Sequence, residues 1–258
     1  MNSQQSESPS GASSPLKFSR FEFKYILSSR RRARLEKDLL YFLEYDPFVA
    51  NLNNHRYWVR SLYYDDPHYT AFHDKIDGLH SRSKFRIRTY SPTPESDVPI
   101  FLEIKGRYNN LVFKDRIPVH ATGANLAKVK GAELSAAILD GTEESAVRNQ
   151  FEHTLYRKRI APVALVDYER RSYFSRYDPN FRITFDEGLS TRQSTGLFPC
   201  AGQAYKKVIA GYTIIEVKLQ THLPSWFHRV IQTHELHRIS VSKIVTSMET
   251  LGLAHDEQ

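Results

Sequence analysis

The sequence is poor in cysteine and has no long apolar run, and both absences narrow the class of protein. Cys200 is the only cysteine among 258 residues, which excludes a disulfide within the chain and a zinc site built from several thiolates. No stretch approaches the roughly 20 apolar residues that a membrane-spanning helix needs. The first residues lack the apolar segment of a secretory signal. We therefore expect a cytoplasmic protein with no transmembrane segment in this chain.

Common catalytic and nucleic-acid-binding motifs are also missing. There is no GxxxxGK(S/T) sequence, which excludes a P-loop. The segment His234-Glu235-Leu236-His237 is one residue short of HExxH, so its two histidines would not align as zinc ligands. No Ser-His-Asp or Cys-His arrangement is recognisable. No RNP-like or KH-like signature accompanies the basic residues, so nucleic acid is not expected as a partner.

The sequence does contain an excess of positive charge and many aromatic residues. Its 36 Lys and Arg against 29 Asp and Glu give a formal net charge of +7, which favours an anionic partner. The 15 Tyr and 15 Phe favour strands. Residues 1–15 are mostly Ser, Gln, Pro and Gly and are predicted to be a disordered tail. Residues 16–258 are predicted to form one domain.

Eight segments read as strands, mainly because apolar and polar residues alternate along them. They are Phe18–Leu27, Tyr57–Asp65, Ser83–Tyr90, Ile100–Arg107, Leu111–Val119, Val163–Tyr173, Phe181–Glu187 and Tyr212–Leu219. Helices are predicted over Arg30–Leu43, His68–Asp77, Asn125–Leu139, Glu143–Leu155, Ser225–His234 and Ser242–Leu251. Short hairpin connections, such as the turn at Tyr108-Asn109-Asn110, favour antiparallel pairing. The predicted class is α+β.

The polar positions of these strands are mostly Arg, Lys and Glu. Arg86 and Arg88 share one face of their strand, as do Glu216 and Lys218 of the last strand. An antiparallel sheet with one face in water shows the same alternation, and this reading stays open for any single strand. However, several amphipathic helices need an apolar surface to cover. Helices packed outside an eight-stranded barrel would turn the charged faces inward, into a tunnel suited to a chain of phosphates.

Four carboxylates lie among these cations, and two roles are open to them. Glu22, Glu103, Asp186 and Glu216 could neutralise neighbouring bases. One or more could instead hold Mg²⁺ or Mn²⁺, which prefer oxygen ligands and bridge phosphates.

An ordered set of motifs runs through nearly everything after Phe18. The set comprises Arg20-Phe21-Glu22-Phe23-Lys24-Tyr25, Ser61-Leu62-Tyr63-Tyr64-Asp65, Asp74-Lys75-Ile76-Asp77-Gly78-Leu79, Lys84-Phe85-Arg86-Ile87-Arg88-Thr89-Tyr90, Leu102-Glu103-Ile104-Lys105, Lys114-Asp115-Arg116, Tyr168-Glu169-Arg170, Arg182-Ile183-Thr184-Phe185-Asp186, Ile215-Glu216-Val217-Lys218, Leu223-Pro224-Ser225-Trp226 and Ser242-Lys243. In this order it resembles the catalytic domain of polyphosphate polymerases of the vacuolar-transporter-chaperone (VTC) family.

The resemblance implies a triphosphate tunnel fold, an eight-stranded antiparallel β-barrel with flanking helices. It implies transfer of the ATP γ-phosphate onto inorganic polyphosphate or pyrophosphate, with Mn²⁺ or Mg²⁺ as cofactor. The implied catalytic residues are Arg86, Arg88, Lys105, Arg170, Arg182 and Lys243. The implied cofactor-binding residues are Lys24, Lys114, Glu22, Glu103 and Lys218, with Glu216 as the metal ligand. Arg171 is expected to face away from the tunnel.

One departure bears on the reaction. The wider tunnel superfamily often opens with an ExExK motif, and here Arg20 stands at the first Glu position, so that only Glu22 and Lys24 fit. This favours the VTC branch over the tunnel triphosphatases and adenylyl cyclases, and it suggests fewer metal ligands. Two alternatives stay open: a hydrolase or cyclase on the same fold, and a module that binds polyphosphate without turnover.

Overall fold

The structure is a computed structural model that describes residues 21–94, 97, 99–108, 111–199, 202, 204–220 and 222–255. The predicted tail (residues 1–15), Arg20, Cys200 and the turn residues Asn109 and Asn110 lie outside this part of the chain.

One antiparallel sheet of ten strands organises the fold. The strands are β1 (Phe21–Ser28), β2 (Leu43–Tyr45), β3 (Tyr57–Asp65), β4 (Ser81–Thr89), β5 (Ile100–Tyr108), β6 (Leu111–Pro118), β7 (Ala161–Ser175), β8 (Arg182–Gln193), β9 (Lys206–Lys207) and β10 (Tyr212–Leu219). Eight of them follow the order β1-β10-β8-β7-β3-β4-β5-β6, while β2 pairs with β7 and β9 with β8. The predicted α+β class and the eight antiparallel strands are confirmed, and β2 and β9 are additional.

The sheet curls strongly but differs from the predicted barrel at its seam. Among the described residues, no backbone ladder joins its two ends, β1 and β6. The curl nevertheless brings the ends close, because Lys105 Nζ on β5 lies 3.2 Å from Glu22 Oε2 on β1. An ion pair between β1 and β5 therefore spans this seam.

Eight helices accompany the sheet in the described part of the chain. They are α1 (Ser29–Leu39), α2 (Pro47–Ala50), α3 (Thr70–Ile76), α4 (Gly123–Leu126), α5 (Gly131–Asp140), α6 (Ala146–Lys158), α7 (Ser225–Thr233) and α8 (Lys243–Leu251). The predicted helix Asn125–Leu139 is two helices, since the chain turns at Gly131 with φ +53°. The predicted helix Arg30–Leu43 ends earlier, at Leu39, because Leu43 begins β2. None of these helices is long and apolar enough to cross a membrane.

The helices cover the apolar face of the sheet. Phe151 of α6 is fully buried against Tyr64 of β3 and Phe85 of β4, with ring centroids 5.3 and 6.0 Å apart. Phe227 of α7 packs in the same way against Phe181, just before β8, at 5.3 Å. Burial of such rings stabilises a fold by about 1.5–3 kcal/mol per side chain. This packing leaves the charged face of the strands to line the inside of the curl.

Candidate active site

The inside of the curl is a cavity of about 970 Å³ lined by charged side chains. On β4, Arg82, Lys84, Arg86 and Arg88 line this cavity, while the intervening Ile87 is fully buried on the opposite face. This separation follows from strand geometry, because successive side chains point to opposite faces. The alternation seen in the sequence therefore places one row of cations on a shared wall.

The structure brings together nearly all the residues predicted from the sequence to form the site. Those that line the cavity are Glu22, Lys24, Arg86, Arg88, Lys105, Lys114, Arg170, Arg182, Glu216, Lys218 and Lys243. They come from seven strands and from the first turn of α8. Of the predicted set, Glu103 alone lies behind the lining, with 0% of its surface exposed.

Glu103 is the centre of a buried charge network. Its carboxylate lies 2.6 Å from Arg86 Nη2, 2.9 Å from Lys114 Nζ and 2.5 Å from Arg116 Nη2, with Arg88 Nη1 at 3.7 Å. Burial alone would raise the pKa of Glu103, but Arg86 and Arg88 outweigh it and hold the pKa far below its usual range. Of the two roles open to Glu103, this placement favours neutralising and aligning cations over contact with a ligand.

A second charge network lies on β10, β8 and α8. Lys243 Nζ is 2.6 Å from Glu216 Oε1 and 2.5 Å from Asp186 Oδ2. Arg170 forms a two-point ion pair with Asp186, at 2.6 and 2.7 Å, and reaches Glu216 at 3.3 Å. Burial opposes the charge on Glu216, but Lys243, Lys24 and Arg170 lower its pKa well below the ordinary value. Glu216 and Lys243 are therefore both charged at neutral pH.

Five cavity lysines, Lys75, Lys84, Lys105, Lys114 and Lys218, have lowered pKa values, and the shift is large for Lys84, Lys114 and Lys218. Burial, together with repulsion from Lys75 and Lys24, lowers the pKa of Lys84 to about 7. Burial also lowers the pKa of Lys114 to about 7 and that of Lys218 to about 8, against the attraction of nearby glutamates. An anionic ligand would reverse these shifts, because it would supply the negative charge that the buried ammonium groups lack.

The positions of the carboxylates show whether the cavity could hold the Mn²⁺ or Mg²⁺ that the resemblance implies. Within the described residues, no three His, Cys, Asp or Glu side chains are grouped so that they could hold a metal ion by themselves. Glu216 and Glu22 share a cation, since Lys24 Nζ lies 3.4 Å from Glu22 Oε1 and 3.9 Å from Glu216 Oε1. One or two carboxylates fit Mg²⁺ or Mn²⁺ when phosphate oxygens complete the coordination. The donor set therefore fits a metal that arrives with a phosphate ligand.

Several cavity residues are absent from the predicted set. Arg82 and Lys84 continue the alternation of Arg86 along β4, and Arg116 continues that of Lys114, so the sequence pattern could have revealed them. Lys75 of α3 and Arg238, before α8, also line the cavity, but nothing in their local sequence indicates it.

The structure also separates Arg170 from its neighbour. Arg170 lines the cavity, whereas Arg171 donates a hydrogen bond to Glu36 of α1 on the other face of the sheet. Arg182 forms a separate ion pair at the edge of the cavity, where its Nη2 lies 2.6 Å from Asp46 Oδ2.

Comparison with known proteins gives a family match and a shared fold. The family described as the VTC domain matches residues 19–252. The crystal structure of a candidate adenylate cyclase from Bacillus halodurans is similar, with a TM-score of 0.51 and 11% identity over 86% of this chain and 92% of that one. Among curated proteins, none matches the chain in sequence.

Two further solved structures are similar, with TM-scores below 0.5. A candidate adenylyl cyclase from Hippeastrum, described as having dominant triphosphatase activity, has a TM-score of 0.49 and 12% identity over 90% of this chain and 97% of that one. The protein PH1819 from Pyrococcus horikoshii has a TM-score of 0.46 and 13% identity over 89% and 98%.

Proposed function

Because this chain belongs to the VTC-domain family and has the fold of the triphosphate tunnel superfamily, we propose that it is a polyphosphate polymerase. The family match and the shared fold support a function related to triphosphate compounds. The proposed reaction is transfer of the γ-phosphate of ATP onto a growing chain of inorganic polyphosphate. Pyrophosphate or a short polyphosphate would serve as the first acceptor.

The observation that carries this proposal is the convergence of cations on one cavity. Arginine matches phosphate oxygens with a two-pronged fork, and lysine supplies a point charge. The cavity contains both types, contributed by different elements, for example Arg86 on β4, Lys114 on β6, Arg170 on β7 and Lys243 on α8. A row of phosphates lying in the cavity would be contacted along its length.

Phosphoryl transfer depends mainly on positioning and on neutralisation of charge. In the proposed reaction, a terminal oxygen of the acceptor phosphate forms a bond to the γ-phosphorus of ATP. The bond between that phosphorus and the β–γ bridging oxygen breaks, and ADP leaves with the bond's electrons. Arg86 and Arg88, held by Glu103, would orient the transferring phosphate, while Lys243 and Arg170 would neutralise charge on the neighbouring phosphate oxygens.

A metal ion would assist this chemistry without replacing the cations. Glu216 would hold Mn²⁺ or Mg²⁺ together with phosphate oxygens, and Glu22 lies near enough to contribute. When bound, the ion supplies further neutralisation of the phosphate oxygens. Lys243, which pairs with both Glu216 and Asp186, would keep its contact with Asp186 beside the bound phosphate.

The products formed from ATP and Mn²⁺ test the proposed reaction. A polymerase releases ADP without an equal amount of free phosphate, because the phosphate is retained in polymer. Equal release of ADP and phosphate would identify a hydrolase instead. Phosphate binding without any turnover would identify a non-catalytic binding module, and either of these results would overturn the proposal.

The melting temperature tests phosphate binding separately from turnover. A ligand at 100 times its dissociation constant stabilises the folded state by about 2.7 kcal/mol. For a chain of this size, we expect tripolyphosphate to raise the melting temperature by about 5 to 10 °C. The variant Arg86→Ala should lose most of this rise, and Arg171→Ala, on the opposite face of the sheet, should keep it. An unchanged melting temperature for the unmodified protein would contradict even phosphate binding.

A further inference from the structure

Four aromatic rings line one end of the cavity. They are Phe48 of α2, Tyr57 of β3, Tyr90 just after β4 and Phe101 of β5. Successive rings are in contact, with centroids 5.1, 5.7 and 6.1 Å apart and nearly edge-to-face orientations. These four residues, which we call the ring-lined mouth, come from four separate elements. Their assembly therefore depends on the fold rather than on local sequence.

The opposite end of the cavity has a different chemical character. There the lining includes Lys75, Arg82, Lys84 and Arg107. Arg82 and Tyr90 lie at the two ends of β4, which are about 26 Å apart at 3.3 Å per residue. The cavity is thus lined by cations at one end and by both rings and arginines at the other, and a uniform chain of phosphates would not need the rings.

The ring-lined mouth lies directly beside arginines of the proposed phosphate site. Phe101 is opposite Arg88 in the β4–β5 ladder, and Tyr57 is opposite Arg170 in the β3–β7 ladder. The guanidinium carbon of Arg116 lies 4.3 Å from the centroid of the Phe101 ring. A ligand with a flat aromatic group joined to a row of phosphates would meet rings and cations in that order.

We propose that the ring-lined mouth is the binding site for the base of the donor nucleotide, which stacks there while its phosphates extend toward the cationic end. The inference rests on the proposed function, because it assumes that the cavity holds the triphosphate. Phe48 is 61% exposed, so a ring face is available to an incoming base. Stacking on aromatic side chains tolerates any base, since every base has a π face.

Calorimetric titration with two ligands tests this site. ATP carries a base and tripolyphosphate does not, so the two ligands separate stacking from phosphate binding. We expect Phe48→Leu and Tyr90→Leu each to weaken ATP binding by about 5- to 150-fold, the range that corresponds to loss of one stacked base. Binding of tripolyphosphate should stay within about twofold of the unmodified protein. The KM for ATP should rise while kcat changes little.

Two control variants isolate the effect of the ring. Tyr90→Phe removes the hydroxyl that accepts a hydrogen bond from Arg116 but keeps the ring, so ATP should bind nearly as before. Tyr108→Leu removes an equally exposed ring, 61% exposed, at the far end of β5, where it should affect neither ligand. Phe48 is on the surface, so its replacement should leave the melting temperature unchanged.

The outcomes distinguish this inference from the proposed function. If the ring variants weaken ATP and tripolyphosphate equally, or weaken neither, the base does not stack at this mouth and the inference is wrong. In that case, tight binding of tripolyphosphate to the unmodified protein would leave the proposed function standing. If the unmodified protein binds neither ligand, both are wrong.

Discussion

Ligand binding should be accompanied by uptake of protons from the solvent. Burial lowers the pKa of Lys84 and Lys114 to about 7 and that of Lys218 to about 8. At pH 8, the first two are mostly neutral and the third is half neutral. Contact with phosphate favours the charged form and should return these pKa values toward 10.5. Binding at pH 8 should therefore take up roughly two protons.

Titration calorimetry in buffers of different ionisation enthalpy measures this uptake. Long-chain polyphosphate is a suitable ligand, because its interior phosphates are fully ionised at pH 8 and release no protons. The measured heat should vary with buffer in proportion to the protons taken up. At pH 6 the three lysines are already charged, so the lysine contribution should nearly vanish. Uptake indistinguishable from zero at pH 8 would refute the reasoning.

The variant Lys84→Arg assigns part of the uptake to one residue. Arginine stays charged throughout this pH range, so the variant should take up about one proton fewer while still binding the ligand. Lys37→Arg on α1 is a matched control outside the cavity and should not change the uptake. An unchanged uptake in Lys84→Arg would place the titrating groups elsewhere.

The same lysines should make the stability of the ligand-free protein depend on pH. Their pKa values are lower in the folded state than the ordinary 10.5, so the unfolded chain binds more protons between about pH 7 and 10. Their contribution to the free energy of unfolding therefore rises with pH in this window, by about 1.4 kcal/mol per pH unit for each full proton of difference. Lys114 is 40% exposed and should contribute less than Lys84.

Three further substitutions test the charge networks. Glu103→Gln leaves several buried cations without their shared partner. The free energy of unfolding measured in urea should therefore fall by about 3–5 kcal/mol. A fall of under about 1 kcal/mol would contradict the central role of Glu103. Arg170→Ala should abolish turnover while Arg171→Ala retains it, and equal losses in a turnover assay would mean that the two faces are wrongly assigned. Glu216→Gln should remove the activation by Mn²⁺, whereas a normal Mn²⁺ titration would exclude Glu216 as the metal ligand.

The strands were predictable because the alternation of apolar and charged residues reflects the two faces of the sheet, one packed against helices and one lining the cavity. In Phe85-Arg86-Ile87-Arg88, every second residue is apolar, and the structure buries those residues under helices while the arginines line the cavity. The same pattern extends to Lys84 and Arg82, although the predicted strand Ser83–Tyr90 begins after Arg82 and neither residue is in the predicted site. Short elements such as β2 carry too few residues to show a period.

Two glutamates in segments with the same residue pattern occupy different positions in the structure, which the local sequence does not predict. Leu102-Glu103-Ile104-Lys105 and Ile215-Glu216-Val217-Lys218 have the same pattern, yet Glu103 is behind the lining and Glu216 is part of it. The difference comes from neighbouring strands. Glu103 is opposite Arg86 and Arg116 in its two ladders, whereas Glu216 is opposite Lys24 and Thr184. Such pairings depend on strand register, which a single strand's sequence does not contain.

The fate of the transferred phosphate tests the central claim most directly. ATP labelled on its γ-phosphate would be incubated with the purified protein and Mn²⁺, and the products would be separated by length on a gel. We expect the label in a ladder of long polyphosphate, with ADP formed in matching amount, and we expect no ladder with Arg86→Ala or Arg182→Ala. Label found only as free phosphate, or left entirely in ATP, would contradict the assignment as a polymerase.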